Sequence, residues 1–385
     1  NSYVAVHGPP GTGKTFTSAR VIERLVNRHR WRVGVVAQSH AVVENLFADL
    51  LRAGVDGARV AKKPNTVSDG WTELDPKAFA TFLDEHAARG EGCVIGGTGW
   101  DFANRCRVPH RALDLLVIEE AGQYSLANTI AVAPAARNLM LLGDPQQLPQ
   151  VSQGTHPEPV DRSALGWLVG EAHTLPPELG YFLDRSYRMH PAVCASVSRL
   201  SYDGRLQSVA EVTAARRLHG YQPGVRVLTV EHTDNATESP EEADAIVARI
   251  GALLGTPWTD EHGTVPLEQR HVLVVTPYNA QVVLLRRRLD AAGYRDVEAG
   301  TVDKFQGRQA PVVFVSMAAS SAENVPRGLG FLFNRNRLNV AISRAKYLCE
   351  IVQSPQLTEF LPSTPEGLLE LGAFLCLPTC DTPDR

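Results

Sequence analysis

Short hydrophobic runs alternate with amphipathic or polar segments along the whole chain. The first run, Tyr3, Val4 and Val6, predicts a buried strand, and a helical run follows from about Thr15 to Arg28. Residues 42–54 also have helical periodicity, which ends at a glycine. Further strand-length runs occur at residues 32–38, 93–98, 113–122 and 138–151.

The second half of the chain repeats this alternation. Short apolar strands that alternate with helices are typical of a parallel doubly wound sheet, whose ligands bind beyond the C-terminal strand ends. Residues 55–92 are polar and poorly periodic, which predicts an insertion or a long connection. Residues 152–177, rich in proline and glycine, are the predicted linker between the two halves. The strand-like segments of the second half are YFLDRSYRMHP, VRVLTVEH, HVLVVTPYNAQ, GTVDKFQG, APVVFVSMA and CEIVQS.

The pattern therefore predicts an α/β protein with two domains. A length of 385 residues suits two to three domains of roughly 150 residues each. We place the first domain at residues 1–177 and the second at residues 178–376. Residues 377–385 form the predicted flexible tail.

The composition says more about possible binding partners and cellular location than about the fold. A net charge of −4 gives no global basic signature, so any contact with nucleic acid must come from local patches. The six cysteines are scattered, and Cys376 and Cys380 are favoured as free thiols over a zinc site because matching ligands are missing. These features favour a reducing, cytoplasmic compartment. The absence of a long apolar run predicts no membrane association.

A glycine-rich loop joins the first strand to the first helix and fits the pattern GxxxxGK[ST]. Its backbone N–H groups are expected to face phosphate oxygens, while Lys14 reaches the outer phosphates and the Thr15 hydroxyl binds Mg²⁺. The alternative, a glycine turn that matches by chance, is disfavoured by the strand and helix on either side. The loop residues predicted to bind nucleotide are Gly8, Pro9, Pro10, Gly11, Thr12, Gly13, Lys14 and Thr15.

Two acidic residues end the hydrophobic run at 113–122. Glu119 and Glu120 stand where an ATPase needs one acid to hold Mg²⁺ and a second to orient the attacking water. A solvated acidic turn is the alternative, which the preceding buried run makes less favourable. One strand further on, Asp144 and Gln147 follow another apolar run, and Gln147 is a candidate sensor of the γ-phosphate; the alternative is an ordinary Asp-Pro turn.

Seven motifs in this order resemble the superfamily 1B helicases: GPPGTGKT, VIEEAGQ, GDPQQLPQV, YRMHP, TPYNAQ, TVDKFQGRQ and LNVAISRAK. This group includes the helicase of nonsense-mediated decay and the nuclease–helicase of Okazaki-fragment maturation. The resemblance extends from about Val4 to Val352. It implies two tandem RecA-like P-loop NTPase domains with parallel sheets. Three further segments resemble bacterial proteins in which a RecB-like nuclease domain precedes the helicase: AQSHAVVENL, SQGTHPEPVD and SPQLTEFLPSTPEGLLELGAF. We therefore expect such a domain in the full-length chain.

The resemblance also implies roles for individual residues. It assigns Lys14, Thr15, Glu119, Glu120 and Gln147 to the functions already inferred from their chemistry. In the second domain it implies that Tyr187 stacks on the nucleotide base and that Arg188 and Arg344 are arginine fingers, for which a planar guanidinium is suited. Taken alone, Arg344 would instead be read as part of a surface salt bridge. Both domains are thus expected to contribute to the ATP site.

Two residues depart from the family pattern. Glu119 replaces the usual aspartate, and its extra methylene is expected to change the water shell of Mg²⁺. Gln309 replaces the usual glutamate that contacts the ribose; a neutral amide still forms a hydrogen bond with a hydroxyl, with weaker discrimination between sugars. The resemblance also leads us to expect a glutamine motif and an accessory domain ahead of the first strand in the full-length chain.

The strand-binding residues implied by the resemblance are Ser39, His40, Thr98 and Thr301. Hydroxyls and backbone amides at these turns bind phosphate without reading sequence. Trp100 and Phe102 are candidates for a stacking platform, although such aromatic residues are more often part of a core.

The sequence thus predicts a monomeric ATP- and Mg²⁺-dependent helicase or translocase that moves 5′ to 3′ on single-stranded nucleic acid, DNA being favoured over RNA. Two alternatives remain open. One is a nucleic-acid-stimulated ATPase that removes bound proteins without unwinding, and the other is an ATP-gated clamp that binds a strand without turnover.

Overall fold

The computed structural model describes residues 2–64, 70–150, 154, 156–305 and 307–378. The chain forms two compact units. The first consists of residues 1–145 and 149–183, and the second of residues 146–148 and 184–385. The first unit extends beyond the predicted boundary at residue 177, because a strand at Gly180–Phe182 pairs with Tyr3–His7.

The first unit is an α/β unit whose strands and helices alternate. Its strands are β1 (Tyr3–His7), β2 (Arg32–Val36), β3 (Val60–Lys62), β4 (Thr72–Glu73), β5 (Cys93–Gly97), β6 (Leu115–Glu119), β7 (Leu139–Gly143) and β8 (Gly180–Phe182). Its helices are α1 (Lys14–His29), α2 (His40–Ala53), α3 (Phe79–Ala88), α4 (Gly99–Ala103), α5 (Leu126–Val132) and α6 (Ala164–Val169).

These strands form one parallel sheet in the order β4-β3-β5-β2-β6-β7-β1-β8. Because successive side chains of a strand point to opposite faces, a strand that is apolar at every position is covered on both faces. In β6, Leu116 and Ile118 pack into one core cluster, whereas Leu115 and Val117 pack into another. The sheet therefore has a core on each face, as the continuous apolar runs predict.

Two local predictions for this unit were wrong. The segment at 55–92 is neither an insertion nor a long connection, because β3 pairs with β5 and extends the sheet, and buried residues of α3 join one of its cores; residues 65–69 lie outside the described residues. The described part of the segment at 152–177 is not a linker, because α6 buries Leu165 and Val169 against the core of this unit; residues 152, 153 and 155 lie outside the described residues. The strand predicted within 138–151 is confirmed as the five residues of β7, and residue 151 is not described.

The second unit is also α/β. Its strands are β9 (Arg185–Ser186), β10 (Gln207–Ser208), β11 (Arg217–Leu218), β12 (Gly224–Thr229), β13 (Pro257–Asp260), β14 (Gly263–Pro266), β15 (Val272–Thr276), β16 (Glu298–Thr301), β17 (Ala310–Ser316) and β18 (Ala345–Gln353). Its helices are α7 (Pro191–Ser201), α8 (Ala210–Thr213), α9 (Pro240–Leu253), α10 (Asn279–Ala291), α11 (Leu329–Leu332), α12 (Arg335–Ile342) and α13 (Pro365–Leu375).

Its main sheet is parallel, in the order β12-β18-β17-β15-β16. A smaller antiparallel sheet, β11-β13-β14, contains a hairpin that the sequence pattern did not predict. Two α/β units with parallel sheets confirm the predicted fold class. In the predicted flexible tail, Leu377 is buried, whereas residues 379–385, including Cys380, lie outside the described residues.

In the described part of the chain, helices that combine the length and the apolar character needed to cross a membrane are absent.

Candidate nucleotide and nucleic-acid sites

The glycine-rich loop lies at the C-terminal edge of the first sheet, between β1 and α1. The Gly8 N–H donates to the Gly143 carbonyl at 2.8 Å, which ties the start of the loop to the end of β7. Gly11 and Gly13 have φ values of 75° and 73°, a region that favours glycine because it has no Cβ. The loop therefore has the backbone needed to turn successive N–H groups towards one point.

Lys14 is folded back on this loop. Its Nζ donates to the Gly8 carbonyl at 2.5 Å and to the Pro9 carbonyl at 3.5 Å. The Thr12 hydroxyl also donates to the Pro9 carbonyl, at 2.8 Å. The ammonium group thus lies at the mouth of the loop, where a phosphate group would meet it.

Glu119 ends β6, which is separated from β1 by β7 in the sheet, and it lies near the loop. The Thr15 hydroxyl donates to its Oε1 at 3.4 Å, so the two predicted metal-binding residues are adjacent. Glu119 is 4% exposed, and its Oε2 is a buried oxygen without a hydrogen-bond partner in the described residues. Burial, followed by the charge of Glu120, raises the pKa of Glu119 to about 8. A buried, unsatisfied carboxyl of this kind fits a site for a cation.

Glu120 is half-buried and has a left-handed backbone, with φ of 56°. Its carbonyl accepts the N–H groups of Gln123 and Tyr124 at 2.7 and 3.1 Å, which stabilises the turn after β6. Such a conformation is uncommon for a residue with a Cβ and is often found at functional sites. Although the two acidic residues are consecutive, Glu119 is buried whereas Glu120 is only half-buried.

Asp144 has a partner that the sequence did not suggest. The His7 Nε2 lies 3.0 Å from the Asp144 Oδ1, and both residues are buried. His7 ends β1 and Asp144 follows β7, and these two strands pair in parallel. The signal in the sequence was a polar residue directly after each of two apolar runs. The pair holds the start of the glycine-rich loop against the segment that leads to Gln147.

Gln147 belongs to the second unit. It is 7% exposed, and its carbonyl accepts the Asn336 side-chain amide at 2.8 Å. The preceding carbonyl, that of Gln146, accepts the Asn339 amide at 2.7 Å. Both asparagines lie on α12, so this helix fixes the backbone of the predicted phosphate sensor.

Arg188 and Arg344 lie close together in the second unit. Burial, followed by the charge of Arg344, lowers the pKa of Arg188 to about 9. The Arg188 Nη1 donates to the Ser343 carbonyl at 3.2 Å, whereas its Nε is buried and has no partner among the residues described. Within the described ranges no carboxylate contacts Arg188, although a second guanidinium group is close to it. An anionic ligand would stabilise this arrangement.

The interpretation of Arg344 as a surface salt bridge was wrong. Arg344 is 2% exposed, and its Nε donates to the Val340 carbonyl at 2.8 Å. Its Nη1 lies 3.3 Å from the carbonyls of Phe305 and Arg308. The side chain is therefore held rigidly by backbone acceptors within its own unit.

The other predicted nucleotide contacts in this unit are exposed. Tyr187, directly before Arg188, is 53% exposed, as a stacking side chain must be. Gln309 is exposed and follows Arg308, whose carbonyl accepts Arg344. Tyr187, Arg188, Arg344 and Gln309 thus belong to one region of the second unit.

The predicted strand-binding residues lie at the C-terminal ends of their strands. Ser39 and His40 follow β2 and Thr98 follows β5, and these strands are neighbours in the first sheet. The Thr98 hydroxyl donates to Asp101 at 3.1 Å, and the Ser39 hydroxyl accepts the Val42 N–H at 3.4 Å. Thr301 ends β16 in the second unit.

Trp100 and Phe102 differ in exposure, although both lie on α4. Phe102 is 2% exposed and packs in the core, so its proposed stacking role was wrong. Trp100 is 85% exposed and lines a cleft of about 560 Å³. Gln38, Asn128 and Gln150 line the same cleft. This cleft, between the ends of β2 and β5, has an aromatic face and polar groups suited to a nucleobase.

Two family models match the chain. A model described as an AAA domain matches residues 161–356, which is more than half of the chain, and a second AAA-domain model matches residues 1–164.

Curated proteins with similar sequences are helicases or nonsense-transcript regulators. The chain is 26% identical over 400 residues to a regulator of nonsense transcripts 1 homolog of Drosophila melanogaster, covering 91% of this chain and 33% of that protein. It is 26% identical over 426 residues to the DNA polymerase alpha-associated DNA helicase A of Schizosaccharomyces pombe, covering 91% and 60%. An Arabidopsis thaliana DNA replication ATP-dependent helicase/nuclease is 25% identical over 385 residues, covering 94% and 28%. The chain thus spans less than two thirds of each of these relatives.

A solved structure supports the fold. The Arterivirus nonstructural protein 10 helicase in complex with DNA matches with a TM-score of 0.50 and 15% identity, covering 96% of this chain and 62% of that chain. The likeness agrees with two tandem RecA-like units. The family models show that the chain belongs to the AAA-domain family, and together with the curated relatives they identify it as a superfamily 1B helicase.

Proposed function

We propose that this chain is the motor of an ATP-dependent helicase that moves on single-stranded nucleic acid. The observation that carries this proposal is the contact between Thr15 of the glycine-rich loop and the buried carboxyl of Glu119, with Lys14 at the mouth of the same loop. A loop that binds phosphate and an adjacent acid that binds a cation are the two parts every P-loop ATPase requires. The similarity to helicases supports a helicase motor as the function of this ATPase.

The residues present fit ATP and Mg²⁺. The loop from Gly8 to Thr15 would hold the phosphates, and Thr15 and Glu119 would hold the metal. Mg²⁺ binds through one or two carboxylates together with phosphate and water, a requirement that Glu119 and the Thr15 hydroxyl match. When bound, Mg²⁺ neutralises charge that develops on the phosphate oxygens.

Other side chains of this chain then have distinct tasks. Glu120 orients the attacking water, and Gln147 senses the γ-phosphate. Tyr187 stacks on the base, and Gln309 binds the ribose. Arg188 and Arg344 stabilise the negative charge of the transition state, because guanidinium groups that are held in place by backbone carbonyls are preorganised for this role.

The strand is proposed to contact the first unit at Ser39, His40 and Thr98 and the second at Thr301. The direction is 5′ to 3′, as in superfamily 1B, and DNA is preferred over RNA, because two of the relatives described above are named DNA helicases or DNA replication helicase/nucleases. The motor acts as a monomer in the cytoplasm, and a nuclease domain precedes it in the full-length protein.

The proposal is tested by measuring ATP turnover with and without matched DNA and RNA single strands. We expect both strands to stimulate turnover and DNA to do so more strongly. Forked duplexes with only a 5′ or only a 3′ single-stranded arm then report unwinding and its direction. Turnover without unwinding would favour a translocase, strand binding without turnover would favour a clamp, and unwinding from the 3′ arm alone would contradict the direction.

Replacing Arg188 or Arg344 with alanine is expected to lower kcat for ATP by a factor on the order of 10² or more, judging from arginine fingers in other NTPases. ATP affinity should change less, because both residues act mainly on transition-state charge. Steady-state kinetics with saturating single strand separate kcat from KM. A variant with normal kcat would show that its arginine has only a structural role.

Replacing Trp100 with alanine is expected to weaken binding of a single strand by about tenfold, since one base–aromatic stack contributes about 1–3 kcal/mol. Trp100→Phe should restore most of the affinity. The matched control is Trp167→Ala, which removes a half-exposed tryptophan from α6 in the same unit. Equal affinities of Trp100→Ala and Trp167→Ala for a fluorescent oligonucleotide would exclude the stacking role.

A further inference from the structure

Arg216 is a buried arginine in the second unit that contacts the backbone of the predicted nucleotide-binding segment. It is 2% exposed. Its Nη1 donates to the Arg188 carbonyl, and its Nη2 lies 3.3 Å from the Tyr187 carbonyl. One side chain therefore holds both residues that are proposed to act on the base and on the phosphate.

The opposite side of the same guanidinium is held by Glu261. The Arg216 Nη2 lies 3.1 Å from both Glu261 carboxylate oxygens, and its Nε lies 3.2 Å from Oε2. Glu261 stands in the turn of the β13–β14 hairpin. Arg216 directly precedes β11, which pairs with β13 through Arg217 and Thr259. The hairpin therefore holds the guanidinium through Glu261 and the adjoining backbone through strand pairing.

We propose that Arg216 and Glu261 form a clamp that positions Tyr187 and Arg188 for nucleotide binding and hydrolysis. This inference rests on the proposed function of those two residues. Arg216 is a positioning residue, because it acts through the carbonyls of residues 187 and 188 and not on the nucleotide itself. The hairpin β13–β14 is thereby a structural support of the ATPase site.

The chemistry of the clamp requires arginine. Its donors lie in a planar fork, so one edge binds a carboxylate with two hydrogen bonds while other donors reach backbone carbonyls. Lysine has the same charge, but its single nitrogen cannot reproduce this fixed geometry. Loss of Glu261 would leave a buried guanidinium without its counter-charge, which is destabilising and would release its alignment.

The test compares Arg216→Lys and Glu261→Gln with Glu350→Gln. Glu350 is in the same unit and accepts a comparable set of hydrogen bonds from Arg249, with N–O distances of 2.7, 3.0 and 3.1 Å. Among the described residues, this pair makes no hydrogen bond to residues 187–188. We expect all three variants to fold. Kinetics of ATP hydrolysis should show kcat lowered by about tenfold and a higher KM for Arg216→Lys, since small misplacement of reacting groups is costly. Glu261→Gln should likewise lower kcat and raise KM. Glu350→Gln should leave both constants near their wild-type values.

A double variant separates positioning from general destabilisation. If Arg216 acts on kcat through Arg188, Arg188→Ala/Arg216→Lys should have the same kcat as Arg188→Ala, while its KM should still rise through Tyr187. Additive losses in kcat, or wild-type kinetics of Arg216→Lys, would overturn the clamp. If Arg216→Lys fails to fold, the kcat and KM of Glu261→Gln test the clamp instead, and wild-type values of both would overturn it. Wild-type protein without strand-stimulated ATPase would instead overturn the proposed function itself, so the two failures are distinguishable.

Discussion

Replacing Lys14 with alanine is expected to abolish ATP hydrolysis and leave the fold intact. The carbonyls of Gly8 and Pro9 accept hydrogen bonds from the Lys14 Nζ and so hold this cation at the opening of the glycine-rich loop. Alanine removes the charge that stabilises the β- and γ-phosphates, an electrostatic contribution that water does not replace in a preorganised site. The loop should keep its shape, because the Gly8 N–H and the Thr12 hydroxyl have their own backbone acceptors.

The matched control for this variant is Arg20→Ala. Arg20 is an exposed cation on the same helix, α1, and its guanidinium lies over the Phe16 ring at 5.4 Å. Both variants lose one positive charge, but only Lys14→Ala loses it at the loop. If turnover of Lys14→Ala stays within about threefold of wild type, roughly 0.7 kcal/mol of barrier, the assignment of the ATP site is wrong. Circular dichroism and thermal unfolding check that both variants remain folded.

The parts of the fold that were predicted correctly are those in which a local pattern determines the structure. Continuous apolar runs became parallel strands buried on both faces, as β6 illustrates with side chains in two separate cores. The glycine-rich loop was predictable because its glycines, lysine and threonine are consecutive. Parallel strands also bring their C-terminal ends to one edge, so Thr15 and Glu119 were expected at the same edge of the sheet, where they are in contact.

The parts that were missed depend on contacts between distant residues. The strand within residues 55–92 was missed because the segment is polar overall. Strand β3 is short, and its burial comes from pairing with β5 rather than from its own hydrophobic pattern. The pair of His7 and Asp144 required knowledge that β1 and β7 are neighbours. Arg216 gave no signal, since an arginine 28 or more residues from its acceptors resembles any surface cation until the hairpin beside it is known.

Glu120→Gln is expected to slow ATP hydrolysis by a factor on the order of 10² or more while nucleotide binding persists, because the amide cannot accept a proton from the attacking water. The protein should then remain bound to strand and nucleotide together. Gln keeps the size of the side chain, so the left-handed turn at residue 120 should be retained. Single-turnover hydrolysis and the lifetime of the complex with a labelled strand measure the two effects.

Glu119→Gln should behave differently, although the two carboxyls are adjacent in sequence. Glu119 is buried beside the Thr15 hydroxyl and has an oxygen available for a cation, whereas Glu120 is half-buried in the following turn. We therefore expect Glu119→Gln to weaken binding of the Mg²⁺–nucleotide complex and to raise the Mg²⁺ concentration needed for half-maximal turnover. Titrating Mg²⁺ at fixed ATP, with a fluorescent nucleotide to report affinity, distinguishes the variants. Because only the residue that holds the metal should change the Mg²⁺ requirement, equal losses of nucleotide affinity in both variants would show that these roles are divided wrongly.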